Sequence, residues 1–358
     1  MDRRLLRSSL PLLLACLAAN QGCGRRDAGN HHEGVQLAQQ APAPRLLRGE
    51  LLTATAPLLS APTDIEVVGT FLVVLDAYAD SVLLVLDRET GALRARGGPR
   101  GRGPGEILEP GSIDPLRDGS GFWVYDFGLR RLTLYQIPNL DRLRVINFFT
   151  EVTVYDPAWL DSHVAALGFF PDRHRVWVFD SLGKRVGGFG SLPASSVPAP
   201  VHVLQHAYQA ALVTNPARTR LAVLTRHSGR VTIFERDGSL VTDTSGPVSF
   251  EPVFGVGEGA RGPVMVSDER LRFGYIDGTA TESRLFALFS GRRRADFPGE
   301  ANFGEYVHVF DWNGTLREVL RLDTAALAIA VDPDGRTLYA ARHSPEPAIV
   351  RYSLVNPD

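Results

Sequence analysis

Val176-Trp177-Val178-Phe179-Asp180, followed by Leu182-Gly183, is a short apolar run closed by an acid and then a glycine. The same unit recurs along the chain. Val82-Leu83-Leu84-Val85-Leu86-Asp87 precedes Thr90-Gly91, and Val231-Thr232-Ile233-Phe234-Glu235 precedes Asp237-Gly238. Val307-His308-Val309-Phe310-Asp311 precedes Asn313-Gly314, and looser copies lie at 132–135 and 349–352. An Asx-Gly pair between β-runs marks a hairpin, because its turn residues need positive φ. No sustained 3.6-residue apolar period occurs beyond the first fifty residues, so the body reads as strands.

Six such units over about 300 residues give a period near fifty, room for four strands each, which is the size of one propeller blade. The reading is therefore all-β: a single six-bladed β-propeller with four-stranded blades. Blades are expected at 63–98, 110–150, 157–190, 207–243, 270–322 and 325–354. The last shows only three runs, at 328–331, 337–341 and 349–353. A β-capable segment, 46–53, is expected to supply its outer fourth strand, closing the ring and covering an unpaired edge.

Composition narrows the function classes. The 358 residues carry 38 basic and 40 acidic side chains, a formal net charge of −2, which argues against binding nucleic acid through phosphate contacts. With 44% hydrophobic residues the chain can bury a core, which excludes wholesale disorder. Length alone suggests about two domains, but all-β folds often run longer as one unit.

The first thirty residues are an address. Arg3, Arg4 and Arg7 precede an apolar run from Ser8 to Ala19, too short to span a bilayer and typical of a secretory signal. Both cysteines, Cys16 and Cys23, lie here and none remains in the body, so the exported domain folds without disulfides. The pattern resembles a bacterial lipobox. Leu13-Leu14-Ala15-Cys16 has the closer consensus, and Gly22-Cys23-Gly24 has the better spacing; Cys23 is favoured as the lipidation site, with Cys16 as the alternative. The expected organisation is a signal peptide at 1–23, a polar tether at 24–45 and the propeller at 46–358, exported to the cell envelope (periplasm or outer membrane) and held on the membrane by lipid.

Gly101-Arg102-Gly103-Pro104-Gly105-Glu106 is similar to the GxGPGE signature of TolB-like six-bladed propeller lipoproteins of bacterial envelopes. The order Leu285-Phe286-Ala287-Leu288-Phe289-Ser290-Gly291, then Val309-Phe310-Asp311-Trp312-Asn313-Gly314, Leu322-Asp323 and Val331-Asp332 is similar to that family's closing blades. The resemblance implies the fold and the envelope address. It brings no reaction with it.

A site is expected on the face bearing the long loops, since binding residues gather on loops held by a rigid scaffold. Those loops are 97–110, 150–157, 190–207, 243–269 and 291–304. Arg100, Arg102 and Glu106 are candidate ligand residues, with Arg292, Arg293 and Arg294 completing a basic rim for an acidic ligand; the alternative is that Glu106 and the arginines lock the loop internally. His202 and His206 are four apart in a proline-rich loop, and Asp332-Pro333-Asp334-Gly335 lacks the rest of a calcium loop, so no metal site is expected. No nucleophile elbow, phosphate loop or cofactor motif is present, and no catalytic residue is assigned. Trp123, Trp159, Trp177 and Trp312 read as packing, with a sugar-binding platform as the alternative.

The expected function is a non-catalytic binding propeller, monomeric, whose partner is an envelope protein or a small acidic or sugar ligand. The alternative is a calcium-dependent six-bladed hydrolase or lactonase. That would need several of Asp64, Asp114, Asp268, Asp277 and Asp332 to converge on the channel.

Overall fold

The structure, a computed structural model, describes residues 36–37, 41–52, 54–55, 58–148 and 152–355. The signal peptide, both cysteines and most of the tether lie outside the described residues.

Six four-stranded antiparallel sheets follow one another in chain order, at 62–99, 110–147, 153–191, 210–245, 275–326 and 328–353. In each, the first strand is innermost and the fourth is at the rim. The inner strands Pro62–Val68, Pro110–Pro115, Thr153–Trp159, Ala210–Thr214, Tyr275–Ala280 and Ala328–Val331 stand side by side, and the last lies against the first. Six blades thus close a ring around a channel.

The sixth sheet has only three strands of its own, and Gly49–Leu51 adds the fourth against Ala348–Ser353, as the sequence suggested. An additional strand precedes it. Arg45–Leu47 pairs in parallel with Leu316–Ala326, the outer strand of the fifth blade, so the N-terminal chain covers two rims in succession. Asp323 ties them together: its carboxylate accepts the Gly49 N–H at 3.0 Å and the Tyr352 hydroxyl at 3.0 Å. Upstream, Gln36 and Leu37 pair with Ser249 and Val248 beyond the fourth blade.

Middle strands lie between two neighbouring blades and are buried on both faces, which is why they read as continuous apolar runs without alternation. Val82 to Leu86 illustrate this, all five fully buried. Six apolar clusters form the core, one at each junction between blades. The four tryptophans belong to these junctions. Trp123, Trp159 and Trp177 fill the seam between blades two and three, Trp312 that between four and five, and all are buried, so they form no exposed sugar platform.

The two faces differ. On the lower face, turns are tight and carry the expected glycines in the left-handed region, among them Gly91, Gly183, Gly238, Gly314 and Gly335. Their preceding acids cap them: Asp180 accepts the N–H groups of Leu182 and Lys184, and Asp311 those of Asn313 and Thr315. On the upper face the long connections have structure of their own. The segment expected as a loop at 190–207 contains the helix Val201–Ala207, the one α-helix among the described residues. The 243–269 connection contains a hairpin, Gly255–Gly259 with Gly262–Val266. Leu192, Leu204 and Tyr208 pack with Phe254 and Met265, so helix and hairpin form a small cap over blades three to five.

One boundary is corrected. Residues 150–157 were expected to connect blades two and three, with the third blade starting at 157. Its inner strand begins at Thr153 and continues through Pro157. Proline is tolerated here because an innermost strand has a neighbour on one side only.

Candidate functional site at the channel mouth

Three inner strands carry an aspartate one step after a β-bulge near their upper ends: Asp64, Asp156 and Asp277. They occupy blades one, three and five, and each reaches to the next blade. Asp64 accepts the Ile113 N–H, Asp156 the Leu212 N–H and Asp277 the Ile329 N–H, each at 2.7 Å. A carboxylate on alternate blades therefore satisfies a backbone donor that the ring would leave open, and joins blades at their innermost points.

Packing these acids around one channel makes ionisation costly. Burial, with the nearby Asp277 and Asp156 charges, raises Asp64 well above the ordinary carboxylate range. Burial pushes Asp156 up to about 7 and Asp277 up to about 6, and Glu66 below them is also raised, by burial and then by Asp64 and Asp277. Arg226, following the second strand of blade four, faces Asp156 and Asp277 and favours their charged forms.

The channel is laced at its lower end. Arg218 in blade four pairs with Asp114 of blade two at 2.6 Å and donates to Pro115 O and the Thr214 hydroxyl, while Asp114 also accepts the Trp159 N–H at 2.5 Å. Asn215 Nδ2 donates to Glu282 at 3.3 Å, tying blade four to blade five.

The upper mouth is walled between blades three and four. Tyr155 neighbours Asp156 on the inner strand; its ring lies 5.3 Å from that of Phe169, which stacks on His206 of the helix at 3.9 Å. Gln205 of the same helix accepts the Phe170 N–H at 2.9 Å and donates to Phe170 O at 2.8 Å, fastening helix to blade. Arg175 opens the third strand beside these groups and is 6% exposed.

Of the acids considered for a convergent site, Asp64, Asp114 and Asp277 line the channel, and Asp156 joins them. Asp268 pairs with Arg270 on the surface at 2.8 Å, and Asp332 caps the turn to Arg336 and Thr337. Among the described residues no three His, Cys, Asp or Glu side chains are grouped to hold one metal ion. His202 and His206 diverge: His202 Nε2 lies 2.8 Å from Pro263 O, and His206 faces Phe169.

The arginine candidates occupy two separate places. Glu106 accepts the Gly103 N–H at 2.6 Å, and a Cβ at Gly101 would collide with the same carboxylate, so glycine is required for the acid to fold back into its loop. Arg100 donates to Ala77 O and Leu108 O, and Arg102 is exposed. On the far side of the ring, Arg292 pairs with Glu305 at 2.6 Å beneath Phe297, and with Arg293 and Arg272 lines a pocket of about 250 Å³. Arg294 points elsewhere, to Ser267 at 3.2 Å. The first group sits on the connection between blades one and two and the second on a connection within blade five.

Asp156 and Arg175 escaped sequence reasoning. Asp156 precedes a proline and looked like loop, and Arg175 has no marker of burial within His174-Arg175-Val176. The recurring bulge-then-Asp on inner strands is the signal that could have found the first.

Among solved structures, the chain is similar to the β-propeller domain of Myceliophteria thermophila Cps50 (Swd1), at 14% identity and a TM-score of 0.46, over 83% of this chain and 98% of that one. It is also similar to Kuenenia stuttgartiensis hydrazine synthase, at 12% identity and a TM-score of 0.47, over 84% and 97%. No curated protein sequence matches. The profile of the TolB-like 6-blade propeller-like family matches residues 48–334, from the ring-closing strand into the sixth blade, and the chain belongs to that family.

Proposed function

We propose that this protein is a non-catalytic binding propeller, exported and anchored by an N-terminal lipid in the bacterial envelope, which takes its ligand at the upper face. The observation that carries this reading is the asymmetry of the ring. The lower face is tight turns over a channel crossed by Arg218, while the upper face bears a helix and a hairpin on its long connections. Elaborated loops on a rigid scaffold are where binding groups collect. Family membership fits an envelope address, and the leader with Cys23 or Cys16 supports lipidation.

The calcium-dependent hydrolase remains the second reading because several channel carboxylates converge, yet the three upper ones each hold a backbone N–H. Native mass spectrometry of the protein purified from its own membranes tests the choice. A retained small-molecule or protein partner, without turnover of ester or lactone substrates, supports binding. Calcium-dependent thermal stabilisation together with turnover would replace it by the enzyme. Cys23→Ser should move the protein from membrane to soluble fractions; unchanged partition in both Cys23→Ser and Cys16→Ser would remove the lipid anchor.

A further inference from the structure

The long loop 291–304 folds back along the segment that enters blade five and is held there by its backbone. Phe273 N–H donates to Arg292 O and Arg294 N–H to Leu271 O, both at 2.9 Å, and Ala295 N–H donates to Glu269 O at 3.0 Å. The first two bonds bracket Arg272 and Arg293, which bridge in antiparallel fashion as a pair that shares no hydrogen bond of its own. Such pairs are the closest in a ladder, with Cα atoms about 4.5 Å apart and both side chains on one face. Like charges placed directly opposite each other repel, so two arginines at this register are set side by side at a cost.

Both guanidinium groups line the pocket of about 250 Å³, together with Arg292. Two carboxylates share it. Glu305 lies between Arg292 at 2.6 Å and Arg321 at 3.6 Å, one oxygen toward each. Asp296 stands 3.8 Å from Arg293 Nε, beyond hydrogen-bond distance, and is exposed, which makes that pair a weak one. Arg272 donates Nη1 to Gly291 O at 3.1 Å, and its guanidinium lies 5.4 Å from the Phe250 ring. A guanidinium carries five N–H donors, more than these bonds take up.

We infer that this pocket binds a small organic anion, its carboxylate or phosphate group held between Arg272 and Arg293. Guanidinium groups suit such oxyanions because their donors match two oxygens at once, and the added charge would relieve the repulsion of the cross-strand pair. Phe297, 39% exposed and 4.5 Å from the Arg292 guanidinium, stands with Tyr306 as the apolar wall for the rest of the ligand. The volume lies below the roughly 300 to 1,000 Å³ of pockets for drug-sized ligands, which limits the occupant to a small molecule. The backbone bonds along 292–295 form the seat in advance, so little ordering is left for binding to oppose.

This deepens the binding reading above and fails separately from it, since a protein partner or a neutral ligand on the helix and hairpin would leave that reading intact. The test is isothermal titration of the full chain with benzoate and with inorganic phosphate, in chloride at constant ionic strength. Saturable binding at one site per chain is expected, and the two affinities tell which oxyanion is preferred. Arg293→Gln, at an exposed position, and Arg272→Gln should each weaken binding by about ten-fold or more. Phe297→Ala should weaken benzoate and leave inorganic phosphate unchanged, and Arg102→Gln on the distant loop should change neither. The inference is overturned if neither anion binds saturably, or if Arg293→Gln with an unchanged Tm binds as the parent does.

Discussion

Asp156→Asn should make the protein more stable at neutral pH and nearly indifferent at acid pH. Burial pushes this carboxyl from an ordinary 3.8 up to about 7. Three units at about 1.4 kcal/mol each make ionisation about 4 kcal/mol more costly in the folded than in the unfolded chain. A raised carboxyl contributes its stability fully below its ordinary pKa and loses it as pH rises through the folded value. About 1.5 kcal/mol is gone by about pH 5, and a further ~2.5 kcal/mol goes between about pH 5 and pH 8. Asparagine keeps an oxygen to accept the Leu212 N–H and never ionises. The advantage of Asp156→Asn over the parent should therefore shrink by about 2.5 kcal/mol between about pH 8 and pH 5. Urea unfolding followed by tryptophan fluorescence measures it, since all four tryptophans are buried. An advantage equal at both pH values, or none at the higher one, would refute the account of the channel acids.

Arg218→Met leaves Asp114 buried and unpaired, so it should cost about 3 to 5 kcal/mol, and adding Asp114→Asn should recover most of it; equal losses in single and double variants in urea would contradict the pairing. Glu106→Ala should cost about 1 to 2 kcal/mol by freeing the Gly103 N–H, while Arg102→Ala should be neutral. Burial depresses His227 and His308 to about 3, so the stability each neutral imidazole contributes is present above the ordinary 6.5 and lost as pH falls below it. Removing residues 1–51 exposes the rims of blades five and six, and light scattering should show the truncated protein associating through them.

The blade count was legible because middle strands are buried on both faces and end in acid-capped glycine turns, as Val176 to Gly183 shows. The ring closure was legible because the sixth blade lacked a strand. Segment 46–53 was expected to serve that blade alone; the chain instead pairs 45–47 with blade five and 49–51 with blade six. The site was largely hidden. Proline at 157 disguised an inner strand, Pro200 preceded a helix inside a proline-rich connection, and nothing local distinguishes Arg175 from a surface arginine. Its environment comes from Tyr155, Arg230, Tyr208 and Asp243, brought to it by its own blade, the next blade and the connection between them, and neighbours of that range leave no trace in adjacent residues.

Hydrogen–deuterium exchange of the full chain purified with its retained partner, and again after that partner is removed, tests the central claim most directly. Binding at the upper face predicts slower exchange in the helix Val201–Ala207 and in the 255–266 hairpin while the partner is bound. Protection confined to the lower-face turns at 88–91, 181–184 and 236–239, or no protection anywhere, would contradict it.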